Sequence, residues 1–154
     1  MNGGTSGNCI IKKSRNHIQK TYKKSGHKSF MNELYIYLLA KQKNLSYIPE
    51  LLSYNVEKRI LKIKNVGKSL SELYKGEKKK EELIPKIIKK YNKLVKLGFY
   101  HNDLRYKNVI YNEEQNKYYL IDFEYTSTKF TDKDHDHIIK PLKRSNRSKK
   151  KKKK

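Results

Sequence analysis

The sequence predicts an α+β fold: a small antiparallel sheet flanked by one helix, then a mostly helical half that closes on a short hairpin. Three observations carry this. Before residue 67, four short segments rich in β-branched and aromatic residues are separated by turn residues. Residues 29–43 and 81–97 place apolar side chains at helical spacing. Residues 100–124 read as loop, strand, polar turn and strand, and carry the pattern H-x-D-x-x-x-x-N followed by an apolar run into Asp122.

The chain opens on a polar, glycine-rich stretch containing Gly3, Gly4 and Gly7. Strands follow at residues 9–12 and 17–22, joined by a turn at Ser14-Arg15-Asn16. The two-residue period puts Ile18, Lys20 and Tyr22 on one face. Residues 29–43 form a helix with Ser29 as cap and Phe30, Leu34, Tyr37 and Leu38 on its apolar stripe. Glu33 lies on the adjacent face. A loop at 44–49 leads to strands at 51–56 and 59–66 that turn at Glu57-Lys58, with Leu61 and Ile63 alternating against Ile60, Lys62 and Lys64. Ser69-Leu70-Ser71-Glu72 is a capping box opening a short helix. Residues 76–80 are a charged linker. The helix at 81–97 has Leu83, Ile87, Leu94 and Val95 on its stripe, tolerates Pro85 in its first turn and stops at Gly98. The hairpin beyond it brings Asp103, Asn108 and Asp122 to one end of a ribbon. Two carboxylates and an amide oxygen there are hard ligands or proton acceptors. After a polar loop at 126–131, residues 132–139 form a short charged helix whose alternating Asp and His are also a metal-ligating pattern.

Lys and Arg number 38 against 15 Asp and Glu, a formal charge of +23. Residues 140–154 hold ten of the basic side chains and no acid, which leaves +13 for the rest of the chain. Such a field favours polyanionic partners, a nucleic acid among them, although lysine on a solvated face needs no partner. From Lys143 the chain has no apolar residue to bury, and this terminal run is expected to be disordered, to act as a polyanion tether or, in a eukaryotic host, as a nuclear-import signal. Cys9 is the single cysteine, which excludes a disulfide framework and a cysteine-based zinc site. No secretory leader or membrane-spanning stretch is evident, so a soluble, intracellular protein is expected.

His101-Asn102-Asp103-Leu104-Arg105-Tyr106-Lys107-Asn108, followed by Ile121-Asp122-Phe123-Glu124, resembles the catalytic loop and metal-binding strand of the protein-kinase-like superfamily. The resemblance covers residues 3 to about 125. It implies a minimal domain over 1–140, with an N-lobe of about 1–66, a hinge at Gly67 and a truncated C-lobe of about 68–140. The basic tail, 141–154, follows. It also implies ATP and Mg²⁺ as cofactors and transfer of the γ-phosphate to a hydroxyl, on protein Ser/Thr or on a small molecule. In these terms Asp103 is the catalytic base and Arg105 steadies the γ-phosphate. Asn108 and Asp122 hold Mg²⁺, while Lys20, paired with Glu33, positions the α- and β-phosphates. Lys12 and Lys13 are alternatives to Lys20. Gly4 and Gly7 would lie in a loop over the phosphates, and adenine would bond to backbone near Asn65, Val66 and Gly67.

The sequence departs from the protein-kinase pattern in four places. The glycine spacing G-x-G-x-x-G is not reproduced, and no strand is predicted ahead of it. Asn102 replaces the arginine usual before the catalytic Asp in phosphorylation-activated protein kinases, and Glu124 replaces the glycine of D-F-G. There is no A-P-E motif. H-N-D and D-F-E are more similar to choline and aminoglycoside phosphotransferases, and partly to small atypical protein kinases. Two other classes compete: a catalytically inactive kinase-like scaffold and a basic nucleic-acid-binding protein. Intact Asp103, Asn108 and Asp122 argue against the first, and the lack of an aromatic–basic binding module argues against the second.

Overall fold

The computed structural model describes residues 2–75 and 77–129, the side chains of 2–6 and 77–81 excepted. The glycine-rich start is a strand and not a loop. Strand β1 (Asn2–Ser6) pairs antiparallel with β2 (Cys9–Lys13), Asn2 opposite Lys13 and Ser6 opposite Cys9. Gly4 therefore sits mid-strand opposite Ile11, and the tight turn falls at Gly7 and Asn8. The open edge of β2 supplies partners for five consecutive backbones, which outweighs the weak strand preference of glycine.

Three further strands complete the first sheet: β3 (His17–Tyr22), β4 (Leu51–Asn55) and β5 (Ile60–Lys64), in the order β1-β2-β3-β5-β4. Ile18, Lys20 and Tyr22 all face inward on β3, as do Leu61 and Ile63 on β5. In the turn between β4 and β5, the Lys58 N–H donates to Asn55 Oδ1 at 2.8 Å and Arg59 takes a left-handed φ of 51°.

Helix α1 (His27–Lys43) packs on this sheet through Phe30, Glu33, Leu34, Ile36, Tyr37 and Ala40. It starts two residues before Ser29, because a 3-10 turn at Lys24–Gly26 runs straight into it; Ser29 is therefore inside the helix and not its cap. Gly26 is required there, since a Cβ would come within 3.0 Å of the Asn8 Cβ and carbonyl oxygen. Leu38, expected on the buried stripe, is 38% exposed. Asn44 closes the helix at φ 51°, with the Leu45 N–H reaching the Ala40 carbonyl at 2.9 Å.

The second half is built on a sheet of β6 (Lys68–Ser69), β7 (Val109–Asn112) and β8 (Lys117–Leu120), in that order. Ser69 caps the short α2 (Leu70–Leu73): its Oγ accepts from the Glu72 N–H at 3.3 Å and donates to Glu72 Oε1 at 3.1 Å. Helix α3 (Glu77–Lys96) begins four residues before position 81. Most of the expected linker is thus helical, and Pro85 lies inside the helix rather than in its first turn. Residues 77–82 are Glu and Lys, good helix formers, and the acids among them suit a helix N-terminus. Ile84, Ile87, Tyr91 and Leu94 of α3 are buried. Past the helix end, Gly98 at φ 89° lets the Phe99 N–H reach the Leu94 carbonyl at 3.3 Å.

One continuous core joins the halves, from Phe30, Leu34 and Tyr37 through Ile87 and Leu94 to Leu120 and Phe123. A smaller cluster gathers Val66, Ile110 and Tyr119, with Ile121 against it. Strand β8 stops at Leu120, so Asp122 lies beyond it, on a left-handed backbone of φ 65°, and not on a strand as expected. Among the described residues no helix is long and apolar enough to cross a membrane. The predicted helix at 132–139, its Asp/His pattern and the basic tail lie outside the described residues.

Candidate active site

The inward face of β3 meets α1 at Lys20. Its Nζ lies 2.7 Å and 2.9 Å from the two carboxylate oxygens of Glu33 and 3.2 Å from Asp122 Oδ1. Lys20 and Glu33 are buried, whereas Lys12 and Lys13 point to solvent on β2. Tyr22, two residues along the same face, donates its hydroxyl to Glu33 Oε2. Burial alone would lower the Lys20 pKa, but the carboxylates of Glu33 and Asp122 outweigh it and hold the ammonium above its ordinary range. Burial pushes the Glu33 carboxyl upward, and the Lys20 ammonium pulls against it.

The loop between α3 and β7 carries the second group. His101 is fully buried; its Nδ1 accepts from the Asp103 N–H at 3.2 Å, and its Nε2 donates to the Ile121 carbonyl at 2.8 Å. Burial lowers its pKa, so the ring is neutral and braces the loop against the residue before Asp122. Its ring packs tilted against Phe123 with centroids 5.2 Å apart, and Phe123 meets Tyr37 of α1 edge-on at 5.5 Å. Asn102 takes a left-handed φ of 62°, and its Nδ2 donates to Tyr125 O, Ser127 Oγ and Lys129 O at 3.1, 2.9 and 3.0 Å. Here Asn102 ties the loop to the segment after Asp122, using carbonyl and hydroxyl acceptors in place of a charged partner.

Asp103 is buried and engaged at both oxygens. Oδ1 pairs with Arg105 Nε, and Oδ2 accepts from Asn108 Nδ2 at 3.1 Å. Asn108 Nδ2 also donates to the Asp103 carbonyl at 2.9 Å. With its amide nitrogen so committed, Asn108 is left with Oδ1 as a ligand atom. The Ile121 N–H donates to the Asn108 carbonyl at 3.0 Å, which fixes Asp122 next to this loop. A carboxylate and an amide oxygen, each oriented by other bonds, are the donor set of a hard divalent cation, so the residues fit Mg²⁺.

The structure thus brings together Lys20, Glu33 and Asp122, and separately Asp103, Arg105 and Asn108, with His101 and the Asn108–Ile121 bond joining the two groups. Gly4 and Gly7 lie in and beside the β1–β2 hairpin, with no hydrogen bond to either group. Val66 is buried in the small cluster, and its carbonyl accepts from Asn112 Nδ2 at 2.9 Å. Sequence reasoning missed Tyr22 as a third member of the buried pair and the bracing by His101. The period-two pattern already put Tyr22 on the Lys20 face, and the H-x-D spacing marked His101. It missed a further residue: Asn32, next to Glu33 on α1, donates to the Glu124 carbonyl at 2.9 Å. Partial burial, with the charge of Asp122, pushes the Glu124 carboxyl up to about 7.

The fold is that of a protein-kinase-like domain. Two solved structures share the fold. The kinase PK-1 of Cydia pomonella granulovirus is 19% identical, with 77% of this chain and 47% of that one covered and a TM-score of 0.59. The bifunctional kinase-methyltransferase WbdD is 20% identical, with 80% and 31% covered and a TM-score of 0.61. The chain therefore spans less than half the length of either structure, and at these identities the likeness is one of fold. The family model described as choline/ethanolamine kinase matches residues 11–136, and the chain belongs to that family. Among curated proteins none matches the chain.

Proposed function

We propose that the site transfers the γ-phosphate of ATP, with Mg²⁺, to the hydroxyl of a small amino alcohol. The observation that carries this is the position of Lys20. A buried ammonium held between Glu33 and Asp122 sits beside an oriented Asp103–Asn108 pair. Phosphoryl transfer needs positioning and neutralisation of charge more than covalent help, and this arrangement supplies both. Asn108 Oδ1 and the Asp122 carboxylate would hold Mg²⁺, which when bound neutralises charge on the phosphate oxygens. Lys20 orients the phosphates, and Asp103 accepts the proton of the acceptor hydroxyl. Arg105, paired with Asp103 in the absence of substrate, is the cation within reach of the transferred group. The Val66 N–H, without a partner among the described residues, is the hinge donor left for adenine, since the Val66 carbonyl is spent on Asn112. Gly7, at the β1–β2 turn, would be the hairpin glycine that lets backbone approach the phosphates.

The acceptor side is supported by a cleft of about 1110 Å³ that Asp103 lines together with Tyr35, Phe99, Glu124 and Tyr125, with Lys28 and Arg105 as its cations. Aromatic side chains beside the Asp103 carboxylate in one cleft suit a cationic alcohol, and the family match points the same way. The test is a pair of variants. Asp122→Ala should abolish Mg²⁺-dependent nucleotide binding. Asp103→Ala should leave binding largely intact and cut turnover on choline or ethanolamine by a factor on the order of 10² to 10⁴. Equal nucleotide affinity in wild type and Asp122→Ala would overturn the assignment.

A further inference from the structure

Helix α3 carries a feature that phosphotransfer leaves unused. From Ile84 to Lys96 it has no acidic residue, but it has Lys86, Lys89, Lys90, Lys93 and Lys96. At roughly 100° per residue these five fall within an arc of about 120°, facing away from the buried Ile87, Tyr91 and Leu94. Lys90 is half-buried and the other four are exposed. Strand β8 packs against α3 and adds Lys117. Partial burial, and then the charges of Lys93, Lys117 and Lys89, push the Lys90 ammonium down. Lys93 Nζ lies 6.0 Å from the Tyr47 ring centroid and Lys117 Nζ 5.0 Å from that of Tyr119.

A helix face that merely stays solvated gains by setting Glu against Lys three or four positions apart. From Lys86 onward those positions within the row hold lysine again, so the neighbouring lysines repel; the one acid at such a spacing, Glu82 four residues before Lys86, makes no ion pair with it. Among the described residues every ion pair lies in the active site, and none touches the row. The row is about 15 Å long at 1.5 Å per residue, the extent of several successive phosphates on one strand and more than a single anion needs. The exposed large apolar side chains of the described residues all sit on other elements, so the row lacks the anchors of a bilayer-docking face.

We propose that the lysine row of α3, with Lys117, binds the phosphate backbone of a nucleic acid without reading its sequence. Lysine is a point charge that neutralises phosphate and lacks the planar fork that reads base edges. The test is fluorescence anisotropy of the full chain with a short fluorescein-labelled oligouridylate across a salt series. The probe variant replaces Lys86, Lys89, Lys90 and Lys93 by Gln, with nucleotide binding and far-UV circular dichroism confirming that it is folded. It should bind at least about tenfold more weakly, and its plot of log affinity against log salt should flatten by about 0.7 for each phosphate no longer neutralised, roughly 3 in all. The same loss is expected in a chain cut before Lys143, which separates the row from the terminal lysines. An unchanged slope in either background overturns the proposal. So does row-dependent binding to phosphatidylserine vesicles with no row-dependent binding to RNA.

Discussion

Lys20 is held by two carboxylates from opposite halves of the chain, and their contributions to stability should not add. Glu33→Gln and Asp122→Asn each remove one charge while keeping shape, and Asn is at ease on the left-handed backbone of position 122. Stripping the partner from a buried ion pair costs about 3–5 kcal/mol when nothing replaces it. Each single variant leaves Lys20 the other carboxylate, so a smaller loss of about 1–3 kcal/mol is expected. Glu33, with a fully buried side chain and a 2.7 Å contact, should cost more than Asp122, whose side chain is 24% exposed and whose contact is 3.2 Å. The double variant leaves a buried ammonium with no counter-charge, and its loss should exceed the sum of the singles by about 1–2 kcal/mol. Burial then depresses the Lys20 pKa below its unfolded value. The fold of the double variant prefers neutral lysine, so its stability should rise with pH up to the unfolded lysine pKa near 10.5. Urea unfolding followed by far-UV circular dichroism suits a chain without tryptophan. Losses additive to within about 0.5 kcal/mol would show that the two carboxylates do not share Lys20.

Two further outcomes follow from single positions. Glu124 has its folded pKa raised from 4.5 to about 7, so the fold prefers the protonated form; that contribution is complete below 4.5 and is lost as pH rises through 7. Glu124→Gln should therefore match wild type in urea midpoint at about pH 4 and exceed it at about pH 8, by about 1–2 kcal/mol after allowance for solvent screening; a constant offset at all pH values would refute this. Gly98 has a φ of 89°, and a Cβ added there would meet nothing within 4 Å, so Gly98→Ala should cost only backbone strain. About 1–2 kcal/mol is expected in thermal or urea unfolding, and no loss would contradict the left-handed helix stop.

Much of the architecture was legible because its cause is local. Strands β3 and β5 show strict alternation, since a half-buried strand must turn every second side chain inward, and Lys20 and Tyr22 were thereby placed on one face. The loop from His101 to Asn108 and the acid at Asp122 were legible as a motif because their spacing is set by one hairpin. Local pattern also misled. Gly4 suggested a loop until the β2 edge was there to pair with it, and Pro85 suggested a helix start that propensity upstream had already made unnecessary.

The residues alone placed β2 to β5, both long helices, the Ser69 capping box and the H-x-D-x-x-x-x-N loop in order, because each depends on residues a few positions apart, whereas β1 and β6 formed only against a partner strand. Tertiary structure alone decided which lysine of a lysine-rich chain is buried. Lys20 is buried because its strand face meets α1 at Glu33 and the end of β8 at Asp122, a partner 102 residues away. It also decided that the Tyr22 hydroxyl shares Glu33 and that Asn102 gathers three acceptors after Asp122. Those bonds form between segments that only the packed core brings within reach, and no spacing in the chain encodes them.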